Sequence, residues 1–251
     1  MSLAVTISHT TKRCIQADSM VVTVAVILAA GSGVRAGFPV PKQFLMLGDR
    51  TVLEHSLKTF NDHPGIDEVV VVTSAEYIDK VRLMAESGGY AKLKHVIEGG
   101  RERYDSSLAA VRQYAGQPDA VMLFHDSARP LVSERIISDC LEAMKTFNCV
   151  DVAVPAVDTI VQCDKAGTRM ETVLDRSLMW QMQTPQCFRQ KVIQEAYRIA
   201  LNDPSFTATD DCGTVLRYLP SEKVGLVRGD ARCMKLTYAQ DLSLLEYYLL
   251  H

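Results

Sequence analysis

The sequence predicts an α/β fold with a doubly wound, mostly parallel sheet. Three observations carry this. Short β-branched runs alternate with segments whose apolar residues recur at helical spacing. The strand runs are apolar throughout, as strands covered on both faces are. A glycine-rich loop also follows the first strand directly, where sheets of this kind bind ligands.

The elements follow in order. "VVTVAVILA" (Val21–Ala29) reads as a buried strand. "VLEHSLKTFND" places Leu53, Leu57 and Phe60 on one side of a helix. "DEVVVVT" (Asp67–Thr73) is a second strand and "AEYIDKVRLMAE" a second helix. "LKHVIEG" is a third strand, and "SSLAAVRQYAG" a third helix with Gly116 as its stop. "DAVMLFHD" (Asp119–Asp126) is a fourth strand with polar residues at its C-terminal end. "SERIISDCLEAMKTF" is a helix capped by Ser133, and "CVDVAVPAV" a fifth strand. The rhythm breaks after Val157, where short alternating pieces surround a hairpin turn at "DKAG". This excursion, at about 156–182, reads as an arm. "RQKVIQEAYRIALND" restores helical spacing, "KVGLVRG" and "MKLT" are short late strands, and "AQDLSLLEYYLL" is a closing amphipathic helix. The expected organisation is an N-terminal extension over 1–20, disordered and possessing an alternative start at Met20, and a single domain over 21–251.

Composition narrows the function. The chain has 251 residues, 47% of them hydrophobic and 23% charged, enough for one large core. A net charge of -3 argues against a nucleic-acid or membrane-surface binder but allows a local cationic pocket. No apolar run is long enough to span a membrane. The seven scattered cysteines form no CxxC pair, so reduced thiols in a cytoplasm are expected rather than a disulfide framework or zinc site.

The loop "VILAAGSGVRAGFPVPKQF" (Val26–Phe44) carries the chemistry. Gly31 and Gly33 let backbone N–H groups approach phosphate oxygens with no Cβ in the way. Arg35 and Lys42 add positive charge, and Pro39 and Pro41 stiffen the segment bearing Lys42. A Walker A loop would need Gly-Lys-Ser/Thr, whereas Lys42 precedes Gln43. A dinucleotide loop would enter a helix at once, and the prolines oppose that. An ordinary glycine-rich connection is the plain alternative.

Taken together, "LAAGSGVRAGFPVPKQF", "EGGRERYDS", "FHDSARP", "LDRSLMWQMQTPQCF" and "DARCMKLT" resemble the sugar-nucleotide pyrophosphorylases and related nucleotidyltransferases, and "PKQF" the cytidylyltransferases acting on polyol phosphates. The strongest resemblance, from Val22 to Leu250, is to the 2-C-methyl-D-erythritol 4-phosphate cytidylyltransferases of the non-mevalonate isoprenoid pathway. It implies a Rossmann-like nucleotidyltransferase that dimerises through its β-arm and transfers CMP from CTP to the polyol phosphate, with Mg²⁺ as cofactor and pyrophosphate released. Catalytic roles are implied for Arg35, Lys42, Arg176 and Lys235. Nucleotide contacts are implied for Ala29, Ala30, Gly31, Gly33, Gly100, Arg103, Ser106 and Ser127. Substrate contacts are implied for Asp126, Arg129, Thr159, Arg176 and Thr209, with Asp126 also facing the metal. Thr159 and Arg176 would serve the neighbouring subunit's site, while Asp210 and Asp211 would cap a helix or orient the polyol hydroxyls. Ala36 departs from the methionine often found there in that family. The rival expectations are a ribitol-5-phosphate cytidylyltransferase, which shares the scaffold and the "HDS" motif, and a non-catalytic CTP sensor.

Overall fold

The computed structural model describes residues 21–31, 40–208 and 210–251. The expectations for 1–20, Gly33, Arg35, Ala36, Pro39 and Thr209 lie outside the described residues. In chain order the elements are β1 (Thr23–Ala29), a small hairpin of β2 (Met46–Leu47) and β3 (Arg50–Thr51), α1 (Val52–Asp62), β4 (Glu68–Thr73), α2 (Ile78–Gly88), β5 (Leu93–Glu98) and α3 (Arg103–Gln113). There follow β6 (Val121–Asp126), α4 (Glu134–Ala143), β7 (Cys149–Pro155), β8 (Val161–Cys163), β9 (Met170–Val173), β10 (Trp180–Met182) and β11 (Gln186–Arg189). The chain closes with α5 (Gln190–Ala200), α6 (Asp211–Tyr218), β12 (Val224–Arg228) and α7 (Ala239–Leu250).

β5, β4, β1 and β6 lie side by side and parallel. Beyond β6 comes β11, antiparallel both to β6 and to β7, and then β12 parallel to β7 at the edge. The sheet is therefore mixed rather than simply parallel. The reason is directional: the chain leaves β7 into the arm and returns along the same edge, through β10 opposite Ala153–Pro155 and then β11.

Alternate residues of the central strands feed two cores. Ile27, Val69, Val71 and Leu123 pack with Leu53, Leu57 and Phe60 of α1 and Ile136 of α4. Val26, Val70, Met122 and Phe124 pack on the other face with Val111 of α3 and Ile193 and Tyr197 of α5. Each Leu, Ile or Phe so buried contributes roughly 1.5–3 kcal/mol, and this two-sided burial explains why the strand runs lack polar alternation.

Helix entries follow local chemistry. Thr51 and Glu54 form a reciprocal capping box at α1, and the Ser133 hydroxyl accepts from the Ile136 N–H at α4. The third helix starts earlier than expected, at Arg103, and ends before Gly116. Its cap is Glu102 with Asp105 as the reciprocal partner, which spares Ser106 from that duty.

Two late elements differ from expectation. "MKLT" is extended but joins no sheet; Leu236 instead donates one backbone bond to Ala128 beyond β6 (2.8 Å). α7 has its expected bounds but is not amphipathic on this chain: Leu245 is buried, while Leu244, Tyr247 and Leu250 are exposed. The arm contains the β8–β9 hairpin, closed at "DKAG" with Gly167 at φ 68° and Asp164 accepting from the N–H groups of Thr168 and Arg169. Val161, Met170, Val173, Leu178 and Trp180 are exposed along the arm, so the single tryptophan is not a core residue.

Candidate active site

The C-terminal ends of β1, β5 and β6 open into one cavity of about 350 Å³. Its walls include Ala30, Gly31, Lys42, Gly100, Arg103, Ser106, Asp126, Ser127 and Lys235, all expected from the sequence. Strand-end position explains the convergence, since parallel strands present their loops on one edge of the sheet.

Each loop is tied down. The buried Gln43 donates its amide to the Ala29 carbonyl at 2.8 Å, and Phe44 packs on Tyr77 with ring centroids 4.9 Å apart. "PKQF" therefore uses Gln43 and Phe44 to dock on the strand end while Lys42 reaches the cavity, its Nζ donating to the Leu236 carbonyl at 3.3 Å. A Cβ on Gly99 would meet Ser106 Oγ at 2.6 Å and the Ala30 Cβ at 2.8 Å, so glycine permits the β5 loop to close on the β1 loop. Among the described residues, a Cβ on Gly31 would meet nothing within 4 Å.

Asp126 is the electrostatic centre. Its side chain receives Lys235 Nζ at 2.6 Å on Oδ2 and Arg103 Nε at 3.2 Å on Oδ1. Burial by itself would raise its pKa, but the adjoining Arg103 and Lys235 charges outweigh burial and hold the carboxyl well below its ordinary range. Arg103 also places Nη1 2.6 Å from Asp211, which is wholly buried. Burial opposes the Arg103 charge, and Asp211 and Asp126 more than compensate, so its pKa is raised.

His125 holds the Asp126 turn from behind. Its Nε2 lies 3.0 Å from the Arg129 carbonyl, which can only accept, so Nε2 carries the proton. Nδ1 then accepts from Thr184 Oγ (2.9 Å), whose oxygen accepts the Asp126 N–H (3.2 Å). Burial pushes the imidazole down to about 4, so the ring is neutral at pH 7 and structural.

Other expected site residues stand elsewhere. Ala29 is behind the cavity wall, its carbonyl taken by Gln43 and Thr73. The Arg129 backbone N–H donates to the Asp126 carbonyl (2.9 Å), but its guanidinium turns away and donates to the carbonyls of Cys233 (2.8 Å) and Met182 (3.2 Å). Thr159 and Arg176 are exposed on the arm outside this cavity, and Arg176 donates to the Val157 carbonyl at 3.1 Å. Asp210 caps α6 through the Gly213 N–H, and Asp211 is occupied by Arg103. Sequence reading missed three contributors: Gln43, Arg101 on the cavity wall, and Asp211 as partner of Arg103. The tight "PKQF" spacing was a signal for Gln43; nothing local signalled the other two.

Among the described residues no group of three or more His, Cys, Asp or Glu side chains could hold a metal ion, and no helix is long and apolar enough to cross a membrane. A buried, ionised Asp126 on the wall of this cavity suits a Mg²⁺ that takes its remaining oxygens from substrate phosphates and water.

Comparison with known proteins agrees with this geometry. Residues 23–251 match the family described as IspD: 2-C-methyl-D-erythritol 4-phosphate cytidylyltransferase. The chain is 43% identical over 229 residues to the 2-C-methyl-D-erythritol 4-phosphate cytidylyltransferase of Thermobifida fusca (strain YX), covering 90% of this chain and 92% of that protein. It is 34% identical over 223 residues to the ribitol-5-phosphate cytidylyltransferase of Lactiplantibacillus plantarum, covering 87% and 94%. The crystal structure of 4-diphosphocytidyl-2C-methyl-D-erythritol synthase from Anaerococcus prevotii superposes with a TM-score of 0.80 at 27% identity, covering 92% of this chain and 97% of that one. With an α/β fold, a strand-end cavity ringed by cations and a match over nearly its whole length, the chain belongs to the IspD family of 2-C-methyl-D-erythritol 4-phosphate cytidylyltransferases.

Proposed function

We propose that the chain transfers CMP from CTP to 2-C-methyl-D-erythritol 4-phosphate and releases pyrophosphate. The observation that carries this reading is the convergence of Lys42, Arg103 and Lys235 around Asp126 in one strand-end cavity. A phosphate oxygen of the polyol forms the new bond to the α-phosphorus of CTP. The bond to the β-phosphate oxygen breaks, and its electron pair leaves with pyrophosphate. The attacking oxygen is already anionic at neutral pH, so the reaction needs no strong general base. Positioning and charge stabilisation are the main requirements.

Gly31, Gly100 and Ser106 receive the nucleoside, while Arg35 and Lys42 stabilise the departing pyrophosphate. Lys235 exchanges Asp126 for the α-phosphate. Asp126 would hold Mg²⁺, which when bound neutralises triphosphate charge. Thr159 and Arg176 act on the polyol phosphate of a neighbouring subunit, with the exposed apolar arm as the dimer contact; their exposure on the arm, off the lining of the home cavity, supports this reading. The free thiols among the described residues suit a cytoplasmic setting.

Ribitol 5-phosphate is the second acceptor to test, because the ribitol relative stands at 34% identity, close to the 36% of the erythritol enzyme of Lachnospira eligens. The test is pyrophosphate release from CTP and UTP, with Mg²⁺, against both polyol phosphates. Turnover with CTP and the erythritol phosphate is expected to dominate. Preference for ribitol 5-phosphate would transfer the assignment to that activity, and binding of CTP with no release for any acceptor would make the chain a sensor.

A further inference from the structure

We infer that Asp211 is a positioning residue that clamps Arg103 in the nucleotide cavity, leaving Lys235 as the cation free to exchange its partner during the reaction. The inference rests on the proposed CTP site. Asp211 stands at the start of α6 and is wholly buried. Its Oδ2 accepts from Arg103 Nη1 (2.6 Å) and Ser107 Oγ (3.1 Å), and its Oδ1 accepts from the Tyr197 hydroxyl. Its own N–H donates to Gln186 Oε1 (3.1 Å) on β11. Residues of α3 and α5 thus fix the carboxylate, and β11 holds its backbone. Arg103 is gripped at two points, Nη1 on Asp211 and Nε on Asp126.

The two cations on Asp126 are consequently unequal. If Arg103 swung towards a ligand, it would leave Asp211 ionised, buried and without a counter-charge, a strongly unfavourable state. Lys235 is 40% exposed in its side chain, and among the described residues its one ion pair is with Asp126. It can move to a phosphate while Arg103 keeps Asp126 paired. Arg103 is thus a rigid wall beside Ser106 and Gly100, with Asp211 setting its angle.

The test is a double-mutant cycle on CTP affinity, by calorimetry with CTP and Mg²⁺, together with steady-state kinetics. Asp211→Asn is expected to raise the CTP Kd and KM about tenfold, as losing a supporting partner of a binding residue does. The polyol-phosphate KM should stay within about twofold, because Asp211 acts through the nucleotide wall alone. In an Arg103→Gln background, Asp211→Asn should add no further loss. Losses that multiply in the double variant, or wild-type CTP affinity in folded Asp211→Asn, overturn the inference. Should Asp211→Asn fail to fold, Tyr197→Phe keeps the ion pair and the ring packing. It should raise the CTP Kd about threefold through one lost hydrogen bond, and an unchanged Kd overturns the inference equally. Failure of the functional reading looks different: wild-type protein itself would not bind CTP or release pyrophosphate.

Discussion

Replacing Lys235 by methionine separates catalysis from stability. Methionine keeps an unbranched apolar side chain and removes the charge 2.6 Å from Asp126 Oδ2. The lysine side chain is 40% exposed, so solvent screens much of the pair. Arg103 stays on Asp126, so no buried carboxylate is stranded. The stability loss should therefore be about 1 kcal/mol, which lowers Tm by about 2–4 °C for a chain of this size. Losing one preorganised charge at the transition state is worth more, about 10²–10³ in kcat. Pyrophosphate release at saturating CTP and polyol phosphate measures the second quantity, and thermal unfolding the first. Acid titration adds a signed check. The folded-state pKa of Asp126 lies below its ordinary 3.8, so its ionised form stabilises the fold above that pH and the contribution fades as pH falls further. Lys235→Met should move acid unfolding to higher pH. A folded Lys235→Met enzyme with wild-type kcat would refute the assignment of Lys235 to the α-phosphate.

Lys42→Ala and Arg35→Ala should each fold and lose about 10²–10³ in turnover; near wild-type pyrophosphate release from either would remove it from the mechanism. Mixing Lys42→Ala with Arg176→Ala subunits should restore part of the activity if Arg176 serves a neighbour. No recovery, once subunit exchange is shown by differential labelling, rules out a shared site. Asp151 offers a pH test. Burial pushes its carboxyl up to about 7, against hydrogen bonds from Gln186 and the Val152 N–H that favour the ionised form. The folded state therefore retains this proton where the unfolded chain has lost it, and stability falls as pH rises from about 4 to 7. Asp151→Asn should unfold near the wild-type temperature at pH 4 and several degrees above it at pH 8; equal melting temperatures at pH 8 would contradict the shift.

Local rules made much of the fold legible. α1 and α7 occupy the segments expected from spacing, Ser133 caps α4, and "DKAG" turns a hairpin. Many cavity residues were legible too, because strand-end loops rich in glycine and cations announce themselves in a run of neighbours. The partners of the Arg129 guanidinium were not legible, because the carbonyls of Cys233 and Met182 lie far along the chain and only the fold brings them near.

By itself the sequence determined the central strands and most of the helices, the two-sided burial of those strands, and that phosphate-compatible loops follow β1, β5 and β6; it did not mark α6 or keep "MKLT" out of the sheet. Apolar periodicity and turn residues act over a few positions, so one dimension suffices to encode them. Only the tertiary structure decided that β11 inserts antiparallel between β6 and β7, that Lys235 arrives on a segment outside the sheet, and that Arg103 meets Asp211 across 108 positions of chain. A buried charge requires a counter-charge, but the requirement does not say where along the chain that partner lies; packing of α3 against α5 and α6 does.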